Sequence, residues 1–212
     1  MSKKIRVLLV DDHAIVRNGV RLMLGEADDI SVEGEADSAR HALQLIRAQE
    51  FDVALLDIAM PDKNGLDLLK QLRVEQPKLS VLILSTYSEE IYAMRAFKLG
   101  AAGYLTKDSP TSALINAVRK AAAGGKHVSP AMMEKLVSAI GGGAVGSHEA
   151  LSNRELEVLK LIASGESLVK IAEALHLSPH TVTTYRARLL EKMGLSSNAE
   201  LTRYAIENGL LV

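Results

Sequence analysis

The chain has 212 residues, 48% of them apolar, and a formal net charge of −1. That suits one large domain or two small ones with a real core, and it excludes a strongly acidic or basic specialist. There is no cysteine, so disulfides and thiolate metal sites are excluded.

The basic start MSKKIRVLLVDD has too short an apolar run for a secretory signal, and no stretch approaches transmembrane length. A soluble cytoplasmic protein without a membrane partner is expected. Over the first 126 residues short β-branched runs alternate with longer amphipathic ones. The pattern predicts, in order, strand 5–10, helix 14–24, strand 30–36, helix 39–49, strand 53–57, helix 66–75, strand 81–85, helix 89–99, strand 102–107 and helix 112–123. Such alternation predicts right-handed crossovers and a parallel sheet covered on both faces. IRVLLV, VALLD and VLILS are nearly all apolar, as central strands should be, whereas ISVEGEA alternates like an edge. The expected fold is therefore α/β and flavodoxin-like: a doubly wound, five-stranded sheet of order 2-1-3-4-5, with its switch point between strands 1 and 3.

Sites in such sheets lie beyond the carboxyl ends of the strands at that switch point. Asp11 and Asp12 end the first strand, Asp57 the third, Ser85 the fourth and Lys107 the fifth. Each alone reads as an ordinary strand–helix junction; five on one rim do not. An unpaired buried carboxylate is costly, so Asp57 needs a partner or a chemical task. Two adjacent acids and a third from a neighbouring strand suit Mg²⁺, a hard cation with oxygen ligands. A lone carboxylate beside Mg²⁺ and a lysine can act as a nucleophile toward phosphorus, with Lys107 and a Ser85 hydroxyl stabilising the phosphoryl oxygens.

After AAAGGKHVSP comes a short helical pattern at 130–140, then the glycine-rich GGGAVGSHEA, the strongest linker signal in the chain. The expected division is 1–126, a linker 127–147, and 148–212. The last part reads as four helices with clear boundaries. SNRE (152–155) and SNAE (197–200) are capping boxes, Ser167 caps the second helix, Ser178-Pro179 opens the third, and Gly165, Gly194 and Gly209 are stops. IAEALHLSPHTVTTYRARLLEKMG reads as helix, short turn, helix. Ile171, Ala172 and Leu175 form one apolar face and Val182, Leu189 and Leu190 another, leaving Thr183, Thr184, Arg186, Ala187 and Arg188 largely off the core. Hydroxyls and backbone N–H groups at Ser178 and Thr181 favour a phosphate. The part has 7 Lys/Arg against 8 Asp/Glu, so it is not basic overall, and charge alone does not separate a DNA-reading helix from an ordinary solvated one.

LLVDDH, LLDIAMPDKNG, LILSTY and GYLTKD resemble the receiver domain of two-component response regulators over about residues 3–126. The resemblance implies that Asp57 is the phosphoacceptor and that Asp11, Asp12, Asp57 and the Ala59 backbone carbonyl hold Mg²⁺. It implies that Ser85, with Thr86 beside it, and Lys107 contact the phosphoryl group, and that Tyr104 is the aromatic whose rotamer follows phosphorylation. Two departures are a serine at 85 in place of the commoner threonine, and Asp108 where many receivers have proline. His13 is expected to open the first helix rather than ligate the metal.

The stretch LSNRELEVLKLIASGESLVKIAEALHLSPHTVTTYRARLLEKMGLSSNAELTRYAIENGLL is similar throughout to the LuxR-type DNA-binding domain. Together the parts resemble the NarL/FixJ group. The resemblance implies a recognition helix at about 179–193, with Thr183, Thr184 and Ala187 facing bases. Ser178, His180, Thr181, Arg186, Arg188 and Lys192 are the remaining DNA contacts, and the helix near 198–208 is the pairing surface. Leu168-Val169 stands where polar Asn-Lys is usual, and Tyr185 replaces a common histidine. Small threonines and an alanine cannot make bidentate guanine contacts, so modest direct readout with help from DNA shape is expected.

The expectation is a transcription factor, not a turnover enzyme. A sensor histidine kinase would phosphorylate Asp57, promoting homodimerisation and binding to double-stranded DNA. A phosphohydrolase with an aspartyl-phosphate intermediate is the enzymatic rival, disfavoured because Ala59 stands where such enzymes place a second acid. A receiver that never phosphorylates and a flavodoxin-like nucleotide binder are weaker alternatives, the latter lacking a glycine-rich phosphate loop.

Overall fold

The computed structural model describes residues 4–130, 132–134 and 148–211. The chain divides into two compact units, Met1–Ser138 and Ala139–Val212. The first runs β1 (Ile5–Val10), α1 (Ala14–Gly25), β2 (Ile30–Ala36), α2 (Ala39–Ala48), β3 (Val53–Leu56), α3 (Gly65–Glu75), β4 (Ser80–Ser85), α4 (Glu89–Lys98), β5 (Gly103–Thr106) and α5 (Thr111–Ala122). All pairings are parallel and the order is β2-β1-β3-β4-β5, as the pattern predicts. Asp57 and Lys107 fall one residue beyond their strands rather than inside them.

Val7, Leu9, Leu55, Leu82 and Leu84 pack with Val20 and Leu24 of α1 and with Leu114, Ala117, Val118 and Ala121 of α5. Alternate strand residues Leu8, Leu56 and Ile83 point the opposite way and are equally buried. Each such side chain contributes about 1.5–3 kcal/mol when fully buried. The edge strand β2 is less regular than simple alternation: its register with β1 shifts between Val7 and Leu8. Beside the shift, Gly34 lets the Phe51 ring approach within 2.7 Å of where a Cβ would stand.

Two local devices set the loops. Asn64 caps α3 by accepting from the Leu66 N–H at 2.8 Å. Asp62 in the same loop caps a different helix, accepting from the N–H groups of Ala39 and Arg40 at the start of α2. Past α5, the chain returns to the sheet: the His127 N–H donates to the Ala102 carbonyl at 2.7 Å, and His127 forms a parallel bridge with Gly103. This covers part of the β5 edge. Of the helix expected at 130–140, residues 130 and 132–134 are helical; the rest, and the glycine-rich segment 141–147, lie outside the described residues.

The second unit has a 3₁₀ turn at His148–Ala150, then α6 (Asn153–Ala163), α7 (Leu168–Ala174), α8 (Pro179–Met193) and α9 (Asn198–Glu207). Leu156, Leu159, Ile171, Val182, Leu189, Leu201 and Leu210 form its core. Met193 is buried there too, whereas Leu190 is only half-buried. The box at Ser152–Glu155 is closed in both directions. The one expected at Ser197–Glu200 is closed in one only: Ser197 accepts from the Glu200 N–H, but the Glu200 carboxylate takes the Ser196 N–H at 2.6 Å. Both residues leave an N–H free at a helix start, and the glutamate satisfies the earlier one. The turn between α7 and α8 uses His176 at φ +52°, a left-handed residue costing about 1–2 kcal/mol without glycine. Among the described residues no helix is long and apolar enough to cross a membrane.

Candidate functional site

The rim is assembled by the sheet itself. The Asp57 N–H donates to the Val10 carbonyl at 2.9 Å, and the Lys107 N–H to the Ser85 carbonyl at 2.9 Å. These hold the end of β3 to β1 and that of β5 to β4, and the parallel β3–β4 pairing joins the two halves. Lys107 Nζ lies 2.6 Å from Asp11 Oδ2 and 2.9 Å from Asp57 Oδ2. Asp57 is only 2% exposed, and its other oxygen accepts the Ile58 N–H at 2.8 Å. Burial pushes the Asp57 carboxyl above its ordinary value, with Lys107 opposing. For Lys107, burial works against the charge, but Asp11 and Asp57 together raise it. A single ammonium thus serves two carboxylates.

Asp12 Oδ1 is buried with no hydrogen bond reaching it; its near neighbour is the His13 Nδ1 at 2.8 Å. His13 is the N-cap of α1, as expected, although its side chain does not cap. Oxygens of Asp11, Asp12 and Asp57 and a ring nitrogen of His13 lie within 4.8 Å of one another. Three carboxylates whose oxygens converge on one rim fit a hard divalent cation. Ala59 is half-buried two residues beyond Asp57.

Ser85 is fully buried and accepts the Tyr87 N–H at 3.3 Å, while Thr86 is exposed. Tyr104 is buried, its hydroxyl donating to the Tyr87 carbonyl at 2.8 Å. Burial raises its phenol well above the ordinary range, so it remains a donor. Tyr87 stacks on Tyr92 of α4, ring centroids 4.8 Å apart. Two contributors had no site signal in the sequence. Gly65 lies so close to Asp57 that a Cβ there would stand 1.9 Å from the Asp57 carbonyl oxygen; its place in MPDKNG announced a turn, not a contact. Arg17 on α1 donates through Nη1 to the Asp11 carbonyl at 2.6 Å.

In the second unit, α8 spans 179–193 as expected and exposes Thr183, Ala187 and Arg188, with Thr184 and Arg186 half-exposed. Ser178 Oγ accepts the Thr181 N–H at 3.1 Å and lies 2.8 Å from Thr181 Oγ1. The Thr183 hydroxyl donates to the Pro179 carbonyl and the Thr184 hydroxyl to the His180 carbonyl. Each hydroxyl's single proton is therefore used within the helix, leaving methyls and lone pairs. Arg186 Nε donates to Asn198 at 2.6 Å. Lys192, expected among the DNA contacts, has its ammonium 2.8 Å from the Glu155 carboxylate, with its side chain 44% exposed.

Burial works against charge on Glu155, but hydrogen bonds from Lys192 and Ser152 outweigh it and lower its carboxyl below the usual 4.5. The stability this contributes is full above the unfolded value and is lost as pH falls through the lowered folded one. Urea unfolding of the second unit at about pH 5 and about pH 3 should show that loss. Glu155→Gln should flatten it, and an equally steep loss in that variant would exclude this carboxyl as the source.

The model of the response regulator receiver domain matches residues 7–119, and that of the bacterial regulatory proteins of the luxR family matches residues 149–205. The response regulator GacA of Pseudomonas aeruginosa is 35% identical over 211 residues, covering 98% of both chains. The chain belongs to the response regulators of the NarL/FixJ group. The probable transcriptional regulatory protein NarL of Mycobacterium tuberculosis is 38% identical over 209 residues, covering 99% of this response regulator and 97% of the relative. Among solved structures, RcsB from Salmonella enterica serovar Typhimurium, bound to promoter rprA in the presence of the phosphomimetic BeF3⁻, superposes with TM-score 0.68 at 25% identity, covering 95% of this chain and 98% of that one. This response regulator is a two-component transcription factor whose second unit is a DNA-binding helix-turn-helix domain of LuxR type.

Proposed function

We propose that Asp57 accepts a phosphoryl group from a sensor histidine kinase in the cytoplasm, and that this raises the affinity of the helix-turn-helix unit for promoter DNA by favouring a homodimer. The observation that carries the reading is the pair of short contacts from Lys107 to the buried Asp57 and to Asp11. A carboxylate oxygen of Asp57 attacks phosphorus, forming an O–P bond as the donor's N–P bond breaks. Lys107 is placed to neutralise charge on the transferring oxygens. Asp11, Asp12, Asp57 and the Ala59 carbonyl would hold Mg²⁺, which when bound supplies further positive charge to those oxygens. Ser85 turns its hydroxyl to the phosphoryl group, giving up the Tyr87 N–H, and Tyr104 moves in behind it; Thr86 stands at the mouth.

The domain limits 1–126, 127–147 and 148–212 follow this division of labour, the first part receiving the signal and the last reading DNA. Thr183, Thr184 and Ala187 face bases and offer methyl groups to thymine methyls. Ser178, His180, Thr181, Arg186 and Arg188 meet phosphates, and α9 pairs the two copies. The test is binding of the full chain to a duplex enriched from a random pool, with and without Mg²⁺ and acetyl phosphate. Affinity should rise at least about tenfold with the phosphodonor, a coupling of about 1.4 kcal/mol. Equal affinity in both conditions would reject phosphorylation control while leaving DNA binding standing.

A further inference from the structure

The pair Glu155–Lys192 joins two helices that the DNA-reading function treats differently. Glu155 lies in the first turn of α6 with its side chain 4% exposed; Lys192 lies in the last turn of α8 with its side chain 44% exposed. One oxygen, Oε2, receives both the Ser152 N–H at 2.7 Å and the Lys192 ammonium at 2.8 Å. The other end of α8 is held by the Ser178 cap and by Pro179. Between these two anchors stand Thr183, Thr184 and Ala187.

We infer that Glu155 and Lys192 are positioning residues for sequence reading: their ion pair sets the tilt of α8, and Lys192 is not a phosphate contact. The inference rests on the DNA-reading function proposed above. Its physical basis is the shortness of the reading side chains. A long arginine can bend to recover a base contact when its helix shifts. A threonine methyl or an alanine cannot, because dispersion contacts fade within an ångström, and both threonine hydroxyls are committed to the helix. Phosphate contacts tolerate such a shift: Arg186 and Arg188 are long and charged, screened Coulomb forces act over several ångströms, and Ser178 and Thr181 stand at the end of α8 that the Ser178 cap holds.

Three roles for the pair predict different results with the full chain treated with Mg²⁺ and acetyl phosphate. The probes are the duplex enriched by the unaltered chain and a scrambled duplex, across a range of salt concentrations. Lys192→Met keeps the stem and removes the charge; Glu155→Gln keeps an acceptor for Ser152. For positioning, each variant loses about tenfold on the enriched duplex, roughly one base contact, and less than about twofold on the scrambled one. The salt slope is unchanged, and the double variant loses no more than either single one. Equal losses on both duplexes, with the slope of Lys192→Met shallower by about one and Glu155→Gln unaffected, would make Lys192 a phosphate contact and overturn the inference. Equal losses with an unchanged slope, tracking the folded fraction by circular dichroism, would reduce the pair to stability and overturn it too. So would no loss in either variant. If the unaltered chain fails to discriminate the duplexes, the DNA-reading function itself fails, a result visible before any variant is made.

Discussion

Asp57→Asn should reduce phosphodonor-driven labelling to background while leaving the protein folded. The carboxylate is the proposed nucleophile, and an amide oxygen is too weak a base to replace it. Folding should survive for a reason visible at the rim. Two carboxylates share one lysine, and burial already acts against the Asp57 charge. Asparagine has the same shape, removes the buried anion and leaves Lys107 with Asp11. The apparent melting temperature should therefore be unchanged or slightly higher. Mass spectrometry of the acetyl phosphate-treated chain checks the first outcome and thermal unfolding the second. Labelling that persists at the level of the unaltered chain would remove Asp57 from its proposed role; labelling lost only together with folding would leave no claim for chemistry.

Gly65→Ala should lower stability by about 1–3 kcal/mol and slow phosphorylation about 10²-fold, the loss associated with a misplacement of about 1 Å. The Cβ would meet the Asp57 carbonyl oxygen at 1.9 Å, its carbon at 2.9 Å and the Ile58 Cα at 3.0 Å. All three are backbone, so no flexible side chain can give way, and the Gly65 N–H to Ile58 carbonyl bond of 2.9 Å must stretch with the loop. Gly19→Ala is the matched contrast. That glycine lies inside α1 with nothing within 4 Å of a Cβ, so the substitution should stabilise by about 0.5–1 kcal/mol. Urea midpoints of the two variants should move in opposite directions. Movement in the same direction would show that the β3–α3 loop accommodates a methyl and does not fix Asp57.

Much of this architecture was legible before any coordinates. Strand and helix signals are local: branched runs such as VLILS, the Ser-x-x-Glu box at 152, Ser178-Pro179, and a glycine at 194 that adopts φ +64°. Element order follows from them, and the connectivity rules for parallel sheets then leave few strand orders. Asp11, Asp57, Ser85 and Lys107 could be placed on one rim because strand ends in a parallel sheet share one edge. Where local rules competed, they failed locally. The Glu200 carboxylate chose the Ser196 N–H over the cap residue's, since both lie within reach of one side chain.

The sequence by itself thus determined which residues stand on which edge and which face. It could not determine which of them touch. That Lys107 serves two aspartates at once, that Gly65 sits against the Asp57 carbonyl, that Asp62 caps a helix 23 residues away and that Lys192 turns to Glu155 across 37 residues were decided only by the tertiary structure. The reason is reach. A lysine has a flexible four-carbon stem and its partner is chosen by distances that exist only once the strands are in register or the helices packed. Local preference acts over three or four residues, and these contacts span dozens.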